Sequence, residues 1–162
     1  MDATIPGWRA LGENDVVRAY PLVVAVDGAR VSLGRWQRLI RTWQAADELA
    51  AGRGAMAYFG AFASVLSLFL FRIDGRPTAP RRLVVPRIWL VELGRSRHLP
   101  RETLAAIDAQ AECCTCRTVV LDTTHPGVRW LTDVLALDRQ GQHVARRGRL
   151  LLREIHAAAV ER

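Results

Sequence analysis

The stretch RLVVPRIWLVEL at residues 82–93, followed by GRSRHLPR at 94–101 and ETLAAIDAQAEC at 102–113, decides the architecture of this 162-residue chain. The first segment is apolar at even and odd positions alike, the pattern of a strand covered on both faces and therefore central in its sheet. Pro86 interrupts it without ending it. Proline cannot donate a ladder hydrogen bond, so a bulge or an opening in the sheet is expected there. The basic loop from Gly94 to Pro100 then leads into a helix from about Arg101 to Cys113, with Leu104, Ile107 and Ala111 inward. Strand, basic loop and helix make one α/β unit.

Downstream, Arg117 to Leu121 is a short β-branched strand, and His125-Pro126-Gly127 opens a helix with Val128, Leu131, Val134 and Leu135 on one side. His143 to Arg147 and Arg149 to Ile155 read as a closing pair of strands around Gly148. Upstream, Met56 to Phe62 and Val65 to Ile73 read as strands, with Ala57 and Ala61 leaving a helix open for the first. Ser32 can cap a helix in which Leu33, Trp36, Ile40 and Trp43 recur at helical spacing. Leu22 to Val26 reads as a short apolar strand closed by the Asp27-Gly28 turn signal. A single domain over 1–162 is expected, with residues 1–19 as a lead-in arm and 156–162 as a frayed tail.

Half of the residues are hydrophobic, enough for a buried core at this length. The net charge is +7 and its 23 cationic side chains are all arginine. Guanidinium forks bind phosphates and carboxylates bidentately, so an acidic protein partner fits this surface, whereas charge alone is weak support for nucleic acid. Arg35, Arg38 and Arg41 fall on one helix stripe, which reads first as a solvated face. Cys113, Cys114 and Cys116 are odd in number and adjacent, which excludes a disulfide framework and points to a reducing, cytoplasmic setting. They do not make a four-ligand zinc site, and no metal is expected. The uncharged run from Gly54 to Phe71 contains Gly60, Ser64 and Ser67 and reads as buried strands rather than a membrane span.

The order of elements over Arg82 to Glu154, together with the loop Gly94-Arg95-Ser96-Arg97-His98-Leu99-Pro100-Arg101, resembles the GNAT acyltransferase superfamily. The resemblance implies an α/β (α+β) fold with a mixed, mostly antiparallel central sheet flanked by helices. It also implies an acyl-CoA cosubstrate whose pyrophosphate is gripped by the loop after the central strand, at the amino end of a helix. With Arg95 in the family's Arg/Gln place, its two glycine places fall on His98 and Pro100. Pro100 has no amide hydrogen and His98 carries a side chain where backbone should approach. The cofactor-binding set implied is therefore Val91, Leu93, Arg95, Arg97, His98 and Arg101, with the arginine side chains holding phosphate. A second segment, from His125 to Thr132, keeps the family's apolar spacing but places Thr132 where a tyrosine often serves as general acid.

Three residues are candidates for the chemistry. Glu92, at the end of the central strand, is the best-placed general base, or else a charged strand-end residue without a catalytic task. His125 follows a strand, as does His98, and either is an acid-base group or a loop histidine. Thr132 occupies the acid position, although a hydroxyl is a weak acid near neutral pH. The expected function is a divergent acyltransferase moving an acyl group from CoA, or from an acidic acyl carrier protein, to an amine. The alternative is an inactive adaptor of the same fold, using a basic, tryptophan-rich surface for a protein partner. A nucleic-acid-binding protein is a third, supported by charge alone. A homodimer is compatible with each.

Overall fold

The computed structural model describes residues 7–28, 30–45, 52–75, 80–91, 98–122, 124–128, 131, 144–146 and 149–154. Its strands are β1 (Gly7–Ala10), β2 (Arg53–Phe59), β3 (Val65–Asp74), β4 (Arg82–Leu90), β5 (Thr118–Asp122), β6 (Val144–Arg146) and β7 (Arg149–Glu154). Its helices are α1 (Val16–Asp27), α2 (Leu33–Ala45) and α3 (His98–Cys113). The strands form one seven-stranded sheet in the order β1-β2-β3-β4-β5-β7-β6. Every pairing is antiparallel except β4 with β5.

Two expectations are corrected. Residues 7–10, read as part of an arm, form β1 and pair with β2 from Gly7–Phe59 to Ala10–Met56. Leu22 to Val26, read as a strand, lies inside α1. The β-branched run misled because the period extends back across Pro21: Val16, Ala19, Leu22 and Val23 are the buried positions, at helical spacing. Pro21 is exposed, so the carbonyl of Val17 that loses its helical hydrogen bond lies where water can reach it. Gly28 ends the helix at a positive φ (+75°) that favours glycine, its N–H donating to Val24 O at 2.9 Å. The Asp27-Gly28 pair is a helix terminus and not a hairpin turn. At α2 the expected cap is present, with Ser32 Oγ accepting from Arg35 N at 3.3 Å.

The run from Gly54 to Phe71 forms β2 and β3, joined by a 3-10 turn at Ala61–Ala63. Among the described residues no helix is long and apolar enough to cross a membrane.

Pro86 has the consequence expected of it, in both forms. Leu70 pairs with Arg87 and Arg72 with Val84, so Val85 and Pro86 together oppose Phe71 in a bulge. The parallel pairing of β4 with β5 runs from Arg82–Thr118 to Val85–Leu121 and stops one residue before the proline. The bulge also changes the parity of β4. Leu83 and Val85 face the α3 side before it, and Ile88 and Leu90 face that side after it. Trp89 is thereby turned to the opposite face, into the core with α1 and α2. The sheet thus separates two cores, one around Phe69, Ile88, Ile107 and Leu121, the other around Trp36, Ile40, Leu68 and Trp89.

Candidate functional site

The β4–β5 pairing ends at Val85 and Leu121; β5 itself ends at Asp122 while β4 runs on to Leu90, and the turn after β5 lies against β4 at Ile88. Asp122 Oδ1 accepts from Thr124 N (3.1 Å) and Thr124 Oγ1 (2.8 Å), which folds the chain back. His125 then caps the next helical turn: its Nδ1 accepts from Gly127 N at 3.3 Å and its carbonyl from Val128 N at 3.0 Å. Pro126 takes the first helical position, which has no need of an N–H. Gly127 lies so close to β4 that a Cβ there would overlap the carbonyl oxygen of Ile88 and stand 2.9 Å from its carbonyl carbon. Only glycine fits that approach.

This turn brings three distant residues together. Asp27 Oδ2 accepts from Trp89 Nε1 at 2.7 Å, and Asp27 Oδ1 lies 3.3 Å from His125 Nε2. The second contact lacks hydrogen-bond alignment and is electrostatic in character. The His125 ring meets Trp89 edge-on, with centroids 5.2 Å apart, and Trp36 meets the same indole at 5.3 Å. His125 is 9% exposed and Trp89 fully buried. Burial pushes the imidazole below its ordinary value; Asp27 opposes that shift and Arg87 reinforces it. With Nδ1 accepting from Gly127, the neutral ring carries its proton on Nε2, toward Asp27.

The other expected site residues fall as follows. Val91 is half-buried beside Trp89, and its N–H donates to Leu66 O at 3.2 Å, so this amide is committed to β3. His98 is the first residue of α3, with a side chain 75% exposed and Nε2 3.6 Å from Glu102 Oε1. Arg101 is exposed on α3, and Pro100 is buried in that helix's first turn. Glu92, Leu93, Arg95, Arg97 and Thr132 lie outside the described residues. His98 and His125 follow the two parallel strands at the same edge of the sheet, one exposed and one buried. All three cysteines are free thiols, Cys116 in the core with burial raising its pKa, and no metal-binding cluster occurs among the described residues. A cavity of about 430 Å³ lined by Glu13, Gln37, Arg41 and Gln44 opens beside Val16, at the other end of α1 from Asp27.

Asp27 and Trp89 are the residues that sequence reasoning missed. Trp89 was legible as part of the central strand, but its face depends on the bulge. Asp27 looked like a turn residue, and nothing local links it to a tryptophan 62 positions away.

No protein-family model matches the chain, and no curated protein sequence does so either. Solved structures do. An aminoglycoside N-acetyltransferase in complex with CoA superposes with a TM-score of 0.66 at 11% identity, over 91% of this chain and 93% of that one. Glucosamine-6-phosphate N-acetyltransferase from Arabidopsis thaliana gives 0.62 at 9% identity, over 88% and 97%. Ribosomal-protein-alanine N-acetyltransferase from Brucella melitensis gives 0.58 at 16% identity, over 86% and 99%. At these identities the likeness is one of fold, and the fold is that of the GNAT N-acetyltransferases, as the sequence resemblance implied.

Proposed function

We propose that this protein is an N-acyltransferase that takes its acyl group from acyl-CoA. The observation that carries the reading is that β4 runs on to Leu90 after its pairing with β5 ends at Val85 and Leu121. Strand residues alternate the side to which their main-chain groups point. Since Val91 N–H is directed to Leu66 on β3, Leu90 turns its N–H and C=O toward the side that β5 does not reach. The amides of a pantetheine arm offer the same donors and acceptors as a strand, so such an arm can lie along this edge. Its phosphates would then meet the arginines of residues 94–101 and the positive end of the α3 dipole. Pro100 removes one amide from that end, which leaves more of the grip to side chains.

In the reaction the amine nitrogen attacks the thioester carbonyl, a C–N bond forms, the C–S bond breaks and CoA leaves as thiolate. The amine proton passes to a base, for which Glu92 acting through water is the assignment, and the thiolate takes up a proton. Val91 N–H is engaged with β3, so the amide assigned to meet the oxyanion is that of Leu90. His125 is a poor base, because its one lone pair is used by Gly127 N–H. An acyl carrier protein presents the same pantetheine arm, and its acidity suits a chain of charge +7.

Calorimetric titration with CoA and acetyl-CoA tests the reading. Saturable binding of both is expected; no heat at millimolar ligand would remove acyl-CoA as donor. That result would favour the adaptor, which one observation already supports: Gly127 and His125 lie against β4 at the level of Ile88 and Trp89. The tryptophan-rich surface expected for an adaptor is weaker, because Trp36 and Trp89 are fully buried and Trp8 and Trp43 half-buried.

A further inference from the structure

We propose that the His125-Pro126-Gly127 turn is the floor of the acyl site and limits the donor to short acyl groups, with His125 the residue that sets the length. This inference rests on the acyl-CoA reading. The pairing of β4 with β5 ends at Val85 and Leu121, and the turn after β5 lies against β4 at Ile88. An arm lying along Leu90 therefore directs its acyl group at this floor.

The floor is built to stay in place. Gly127 has no room even for a Cβ against Ile88, so the turn cannot sink further into the sheet. The His125 ring is held from three sides: Gly127 N–H on Nδ1, the Asp27 carboxylate beside Nε2, and the edge of Trp89. Trp89 cannot yield either, since it is fully buried, backed by Trp36 and tied through Nε1 to Asp27. Close-packed interiors of this kind resist insertion of extra methylenes. A pocket that accepted a longer chain would gain roughly fourfold in affinity for each methylene buried. Here the additional methylenes must stay in water or displace a ring that three neighbours hold.

The test is a calorimetric series on the full chain with CoA, acetyl-CoA, butyryl-CoA and octanoyl-CoA. Octanoyl-CoA is expected to bind at least about tenfold more weakly than acetyl-CoA. In His125→Asn, whose side chain can still cap Gly127 N while occupying less space, that difference should shrink by about tenfold. Circular dichroism confirms that the variant is folded, and the wild-type series stands without it. Equal binding of octanoyl- and acetyl-CoA by the wild type overturns the inference while leaving the acyl-CoA reading intact. An unchanged ratio in a folded His125→Asn does the same. If no member of the series binds, CoA included, the proposed function and this inference fall together.

Discussion

At His125 the two ring nitrogens face different demands. Nδ1 must stay unprotonated to accept from Gly127 N–H, while Nε2 carries a proton toward Asp27. Burial favours the neutral ring, so its pKa in the folded chain lies below the ordinary 6.5. Below that ordinary value the unfolded chain binds more protons than the folded one, and linkage then makes stability rise with pH. The stability is fully present above about pH 6.5 and is lost as pH falls toward the folded pKa. Urea midpoints measured from about pH 8 down to about pH 5 should therefore decline below about 6.5 in the wild type. In His125→Asn that part of the decline should flatten; an unchanged profile would mean that another group carries it. Asp27 is a second unusual placement. A carboxylate at the carboxyl end of a helix opposes the helix dipole, and the indole N–H of Trp89 with the facing imidazole offsets that cost.

Two elements depart from regular geometry, with different consequences. In β4, Pro86 produces a bulge that reverses which face Trp89 occupies, and the pairing with β5 ends at the same point. This irregularity creates the candidate site. In the β2–β3 connection, Phe62 (φ +59°) and Ala63 (φ +57°) both sit in the left-handed region, and Phe62 is fully exposed. A left-handed conformation costs a residue with a side chain about 1 kcal/mol, and asparagine tolerates it better. Phe62→Asn should therefore raise stability by roughly 0.5–1 kcal/mol, since no buried contact is lost. Thermal or urea unfolding reads this directly. A loss of stability would show that the ring makes a contact in solution that the fold does not require.

At the scale of the whole molecule, the sheet separates two cores, and β4 runs past the end of its pairing with β5. In sequence the basic stretch 94–101 follows β4, and the chain carries a charge of +7. A phosphate-bearing ligand held by arginine side chains should respond to screening, because charges separated by about 10 Å or more are largely uncoupled at ~0.1 M salt. Affinity for CoA should accordingly fall several-fold between about 0.05 and about 0.3 M sodium chloride, with little change in fold stability. A salt-independent affinity would point to a grip made by main-chain amides and apolar contacts instead. GNAT-fold structures at 9–16% identity superpose over 86–91% of this chain, so the layout tolerates wide divergence of sequence.

The sequence by itself determined those features whose cause is local. Pro86 lacks a donor wherever it sits, so a bulge or opening followed from one residue. Ser32 caps α2 through a contact three residues away, and α3 and β5 followed from their own apolar periods. The same local reading failed at Leu22 to Val26, because a β-branched run is ambiguous until the face it buries is known. Only the tertiary structure decided the site. Asp27, Trp89 and His125 come from a helix end, a strand and a turn, and they meet because the bulge turns Trp89 over and the turn after β5 lies against β4. A constellation set by the sum of a bulge, a helix terminus and a strand register leaves no spacing in the chain from which it could be read.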